Sequence, residues 1–232
     1  MEGPGFVIGN IAKGNDLWDR QEEIKGIMKA LEKSSILLKA PRRFGKTSIM
    51  YRIYEESSDF KTIFVDTEGM RDPQDFIAGL MTELLSDKSL SNIAKMGLKK
   101  IGSALTKVEE ISLADFRLKI REGIGREWHE KGCELVSKIK DYTEKDILFI
   151  LDELPLLVQN IMRQEGEKTS RDFLHWFRSI RQMPELSRVR WLVGGSIGIE
   201  HILAKIGVGV QVINDFQILR ICPFSEIEGR KY

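Results

Sequence analysis

One short stretch, Ala40-Pro41-Arg42-Arg43-Phe44-Gly45-Lys46-Thr47-Ser48, limits what this chain can fold into more than any other. The apolar run Ile36-Leu37-Leu38 leads into it, and Ile49-Met50-Tyr51-Arg52-Ile53-Tyr54, of helical period, follows it. A strand, a tight turn and a helix N-terminus in that order build a concavity lined by backbone N–H groups. The stretch matches the phosphate-binding pattern G-x-x-x-x-G-K-[ST], with Ala40 in place of the first glycine. Gly45 stands where a side chain would block the approach of a phosphate. The helix beginning near Lys46 adds the positive end of its dipole. In such a loop Lys46 reaches the β- and γ-phosphates of a nucleotide, and the Thr47 hydroxyl holds Mg²⁺.

A second signature completes the first. Asp146-Ile147-Leu148-Phe149-Ile150-Leu151-Asp152-Glu153 carries five consecutive apolar residues, as a strand buried on both faces does. It ends in two acids, where an α/β sheet presents its ligand edge. Asp152 is expected to bind Mg²⁺, directly or through water, and Glu153 to polarise an attacking water as general base. Lys46 and Asp152 lie 106 residues apart, a long interval for motifs expected on neighbouring strands. No [NT]-K-x-D guanine-reading motif occurs, so adenine is the expected base, and no H-R-D or D-F-G kinase motif is present.

The remaining pattern alternates strands with helices. Lys61–Asp66, Val189–Val193 and Phe216–Ile221 read as further strands. Helices are expected from Asp16 onward (burying Ile24, Ile27, Met28 and Leu31), after the N-cap Asp72-Pro73, and over roughly 170–182. The fold class that follows is α/β, with five mostly parallel strands flanked by helices. The whole chain reads as one domain, with residues 1–15 a glycine-rich leader. Residues 87–145 hold no strand-like run and read as a helical insertion, with helices near 90–107 and 112–140.

Other candidates weigh less. Ser196, after Gly194-Gly195, is expected to sense the γ-phosphate or to orient water, with a polar cap at a strand end as the other reading. Asp66 ends the second strand beside the site, as a water-positioning group or a loop cap. Arg178 and Arg181 read as a solvated helix face, with an arginine finger for a neighbouring subunit as the alternative. The basic amphipathic stretch 93–108 reads as a packed helix, and it is the one feature that would favour a nucleic acid or a membrane surface. His129, His175 and His201 lack metal-ligand spacing, and Cys133 and Cys222 fit neither a disulfide framework nor a cysteine nucleophile. A net charge of +1 argues against coating nucleic acid, and no apolar run is long enough to span a membrane. Two cysteines suit a reducing cytosol, so a cytoplasmic location is expected.

Pro41-Arg42-Arg43-Phe44-Gly45-Lys46-Thr47-Ser48 resembles the PRRxGKTS loop of the archaeal-type ATPases, which belong to the STAND group of AAA-related P-loop NTPases. Leu17-Trp18-Asp19-Arg20-Gln21-Glu22-Glu23 is similar to the group's hhGRExE motif. Arg20 and Glu23 match it, whereas Asp19 and Gln21 depart. Gly194-Gly195-Ser196 resembles its polar sensor, and Cys222-Pro223-Phe224-Ser225-Glu226-Ile227-Glu228 its segment after the fifth strand. The resemblance implies an ASCE/AAA-like ATPase with ATP and Mg²⁺ as cofactors. Arg20 and residues 41–48 would hold the nucleotide, Thr47 and Asp152 the metal, with Lys46, Glu153 and Ser196 catalytic. It also implies a nucleotide-driven switch coupled to a protein partner or to self-association. The alternatives are an interaction module with negligible turnover and a DNA-associated motor. A helical lid and often a winged-helix domain follow in such families. With four residues after Glu228, the chain reads as a core lacking them.

Overall fold

A computed structural model describes residues 20–87, 112–137, 139, 145–195 and 198–222. In chain order the elements are α1 (Gln21–Leu31), β1 (Ile36–Lys39), α2 (Lys46–Glu56), β2 (Phe60–Asp66), α3 (Pro73–Ser86), α4 (Leu113–Ile124), α5 (Trp128–Ser137), β3 (Asp146–Asp152), α6 (Leu154–Arg181), β4 (Val189–Gly195), α7 (Ile199–Lys205) and β5 (Gln217–Arg220). All five strands are parallel, in the order β2-β3-β4-β1-β5. The two motif-bearing strands are therefore not neighbours. β4 lies between β1 and β3, because the chain crosses to the far edge for β2 and returns strand by strand.

Strand parity divides the core. Leu148 and Ile150 face α1 and α2, together with Ile36, Leu38 and Leu192. Ile147, Phe149 and Leu151 face the other way, toward α3, α4, α5 and α6. Each such side chain contributes about 1.5–3 kcal/mol on burial. The period of two then sends Asp152 to the α2 face, where the phosphate-loop helix begins. On the opposite face Phe149 stacks on Trp191 at 4.7 Å between centroids, and Phe177 meets Trp191 edge-on at 5.2 Å. Asp72 caps α3 as expected, its side chain accepting from the Asp75 N–H at 2.8 Å.

Two helices differ from expectation. The span 112–140 breaks at Gly125 (φ 53°) into α4 and α5. Phe116, Ile120, Ile124, Trp128, Leu135 and Val136 from these helices join the main hydrophobic cluster, so this part of the insertion is built into the core. The helix expected at 170–182 is the rear half of the 28-residue α6, which starts directly after Glu153 and is kinked at Gly166 (φ 88°, ψ 173°). Residues 163–168 around that kink are polar and exposed, so no apolar period marks them. The short α7 was not expected. The leader, the stretch 93–108, Ser196 and the segment 223–228 lie outside the described residues.

Candidate functional site

The site is assembled where β1 and β3 end. β1 stops at Lys39, and the chain turns through Pro41–Gly45 to start α2 at Lys46. Gly45 is the N-cap at φ 76°, a left-handed conformation that glycine takes freely. It offers no side-chain cap, and the first turn of α2 carries no acid, so the helix does not neutralise its own positive end. β3 ends at Asp152, and Glu153 bends the chain abruptly into α6 with φ 60°. Among the described residues, Arg43 and Glu153 are the non-glycines with positive φ, and both lie at this site. Such strain concentrates where function fixes the backbone.

Four side chains converge here. Lys46, 6% exposed, places Nζ 2.8 Å from Glu153 Oε1 and 3.3 Å from Asp152 Oδ1. Thr47 Oγ1 donates to Asp152 Oδ2 at 2.6 Å. The Glu153 N–H donates to Asp152 Oδ1 at 3.1 Å, fixing the two acids relative to each other. Behind them the fully buried Thr67 donates twice to the Asp152 carbonyl, from Oγ1 at 2.6 Å and from its N–H at 3.1 Å. Sequence reasoning passed over Thr67, since a threonine after a strand carries no motif.

Gly194 and Gly195, at the end of β4, allow close packing. A Cβ on Gly194 would lie 2.6 Å from Met50 Sδ and 3.2 Å from Lys46 Cδ. One on Gly195 would lie 2.4 Å from the Pro155 ring, two residues from Glu153. These glycines let α2 and α6 press against β4 and bring Lys46 to Glu153.

The other candidates sit apart. Pro41, Arg42 and Arg43 are exposed on the loop, Phe44 packs against the α1–α2 side of the core, and Ser48 is buried in α2. Arg20 is buried at the start of α1, paired with Glu23 at 2.6 Å and donating to the Cys222 carbonyl at 3.1 Å. Next to Cys222, Ile221 bonds the Lys39 carbonyl, so Arg20 braces the β5 side of the loop's base. Asp66 is exposed and accepts the Glu68 N–H, as a loop cap does.

Arg181 matches neither of its expected readings. Its side chain is 1% exposed, grips Asp215 at 2.8 and 2.9 Å, and lies over the rings of Phe177 and Phe216. Burial pulls its pKa down against the opposing pull of Asp215. A neighbouring subunit cannot be reached from there. Burial pushes the Cys133 thiol up, opposite to what a nucleophile needs. Among the described residues no group of three or more His, Cys, Asp or Glu is placed to hold a metal, and no helix is long and apolar enough to cross a membrane.

Comparison with curated proteins gives no match. Among solved structures, the Walker-type ATPase PABY2304 of Pyrococcus abyssi superposes with a TM-score of 0.58 at 18% identity, over 95% of this chain and 58% of that one. The ORC1 protein of Aeropyrum pernix, solved in complex with DNA, gives 0.48 at 15% identity, over 91% and 47%. The chain thus spans less than two thirds of the length of either protein. The likeness to the Pyrococcus protein shows the fold, an α/β P-loop ATPase fold. Residues 13–196 match the family model described as predicted AAA-ATPase, and the chain belongs to that family.

Proposed function

We propose that this chain binds ATP with Mg²⁺ and hydrolyses it, acting as a nucleotide-driven switch on a protein partner. The observation that carries the reading is the convergence of Lys46, Thr47, Asp152 and Glu153 at the ends of β1 and β3. The loop N–H groups and Lys46 would take the phosphates. Thr47 Oγ1 and the Asp152 carboxylate are hard oxygen donors that suit Mg²⁺, whose remaining ligands come from phosphate and water. That cation, when bound, offsets charge on the transferring phosphoryl group. Arg20 would steady the base of the loop, and Ser196, following the Gly195 that packs on Pro155, would sense the terminal phosphate.

Glu153 is the group suited to take the proton of an attacking water. Its carboxylate is held by Lys46 at 2.8 Å. An arriving phosphate competes for the same ammonium group and releases Glu153, so the base becomes available only when the loop is filled. This dependence suits a switch. It also supports the second reading, a nucleotide-gated interaction module in which Glu153 is rarely freed and turnover is negligible.

Two variants test the proposal. Lys46→Ala removes the central cation and is expected to abolish ATP binding by isothermal titration calorimetry. Glu153→Gln is expected to bind ATP and Mg²⁺ normally while steady-state phosphate release falls by about 10²–10⁴-fold. A Lys46→Ala protein that binds ATP like the wild type would overturn the site. Phosphate release at background level in the wild type itself would favour the gated module.

A further inference from the structure

A cavity of about 590 Å³ opens at the carboxyl end of β2, the edge strand of the sheet, and is walled by α3, α4 and the loop Gly69-Met70-Arg71. None of the phosphate-loop residues 40–48 lines it. Its volume lies within the range of small-molecule sites, about 300–1,000 Å³. The carboxyl ends of the strands are also where α/β sheets take their ligands.

Three arginines line the cavity, and their partners differ. Arg121 is spent on Asp72 and on Asp75, the latter at 3.2 Å. Arg117 lies half-buried against α3, its Nη2 reaching the Asp75 carbonyl only at 3.5 Å, beyond the usual hydrogen-bond range. It makes no ion pair with Glu83 among the described residues, and burial pushes the Glu83 carboxyl up by more than Arg117 pulls it down. The Arg71 guanidinium, which is exposed, has no partner among the described residues. Gly79 helps to keep the space open. A Cβ there would collide with Met70 Cε and lie 3.7 Å from Arg117 Nη2. Two guanidinium groups with unspent donors thus share one cavity with the carboxylates of Asp66 and Glu83. Guanidinium pairs with carboxylate or phosphate through two parallel N–H bonds, and carboxylates accept from hydroxyl groups.

We propose that this cavity is an effector site for a small hydroxylated oxyanion, a carboxylate or a phosphate ester, gripped between Arg71 and Arg117 with Asp66 and Glu83 accepting from its hydroxyl groups. The loop that carries Arg71 is tied at Thr67 to the Asp152 carbonyl, and at Glu68 and Met70 to Asn160 of α6. A ligand that draws Arg71 inward therefore moves a loop anchored to Asp152, one residue from Glu153. The effect on turnover rests on the function proposed above, whereas binding to the cavity does not.

The test titrates malate and glycerol 3-phosphate by isothermal titration calorimetry, without nucleotide, into the wild type, Lys46→Ala, Arg71→Gln and Arg117→Gln, with thermal midpoints recorded alongside. At least one probe is expected to bind saturably. Malate alone assigns a carboxylate, glycerol 3-phosphate alone a phosphate ester, and both together any oxyanion of this size. Lys46→Ala is expected to bind like the wild type, and each glutamine variant to bind about tenfold or more weakly, as loss of a charged hydrogen-bonding partner requires. Arg71 is exposed, so Arg71→Gln keeps its fold even where Arg117→Gln loses midpoint. The site is overturned if neither probe binds, or if Arg71→Gln weakens binding by about threefold or less. Loss of binding in Lys46→Ala also overturns it, since the anion then sits on the nucleotide loop. The bound probe is further expected to change steady-state phosphate release by about fivefold in the wild type and to leave Arg71→Gln unaffected. Binding without any change in release overturns the effector role. A wild type that releases no phosphate overturns the proposed hydrolysis and the effector role with it, while the titration still decides the site.

Discussion

Thr67 shows how a residue outside every motif positions the chemistry. Its hydroxyl and its N–H both reach the Asp152 carbonyl, the last hydrogen-bonded point before the backbone bends at Glu153. Thr67→Val removes one of these two tethers and leaves the carbonyl its N–H partner. Urea unfolding is therefore expected to show a modest loss, about 0.5–1.5 kcal/mol. Phosphate release is expected to fall further than ATP affinity, because the tether holds the two acids and not the loop. Thr67→Ser, which keeps the hydroxyl, is expected to restore turnover; equal turnover in Thr67→Val and wild type would remove Thr67 from the site. At this scale the sequence was readable where chemistry demands a residue type in a register. Lys46, Thr47, Asp152 and Glu153 come together as their motifs imply. It was unreadable where a role depends on a partner far along the chain. Thr67 bonds a residue 85 positions away, and Arg181 is buried by Asp215, 34 positions on.

Among the elements, α6 joins the site to the core. Its front half follows Glu153 and carries Asn160, whose Nδ2 donates to the carbonyls of Glu68 and Met70 and so holds the loop that contains Thr67. Its rear half carries Phe173, Trp176 and Phe177, packed edge-on against Phe76. Gly166 divides the halves in a backbone region that only glycine occupies readily. No atom lies within 4 Å of a Cβ built there, so the cost of Gly166→Ala is purely conformational. That variant is expected to lose about 1–3 kcal/mol in urea unfolding. The exposed neighbour Glu167→Ala should stay within about 0.5 kcal/mol. A Gly166→Ala protein as stable as the wild type would mean that the kink is not needed to seat both halves. Only the rear half of α6 was legible beforehand, since an apolar stripe reveals a helix and a polar exposed segment does not. The strand order was hidden for a related reason. Local pattern locates β1 and β3, but only the crossover of the whole chain places β4 between them.

Across the whole molecule, the site ties together two faces that share little else. α2 belongs to the smaller hydrophobic cluster on one side of the sheet, and α6 to the larger cluster on the other. At the sheet's C-terminal edge they meet through Lys46 and Glu153, with β4 thinned to Gly194 and Gly195 so that both helices can approach. A nucleotide seated on the loop would replace the Lys46–Glu153 contact with bonds from Lys46, the loop N–H groups and the metal ligands to one polyphosphate. More groups would be fixed by the ligand than are freed from each other, and the gain belongs to the folded state alone. ATP with Mg²⁺ at about 100 times its Kd would then add about 2.7 kcal/mol of stability. For a chain of this size that raises the thermal midpoint by about 5–10 °C. Lys46→Ala is expected to show no shift relative to its own nucleotide-free midpoint, and Glu153→Gln to show the full shift, because only its role toward water is lost. Differential scanning calorimetry with and without ATP and Mg²⁺ measures both. An equal shift in Lys46→Ala and wild type would place the stabilising nucleotide somewhere other than the loop, and the link between the two faces of the sheet would then not run through this site.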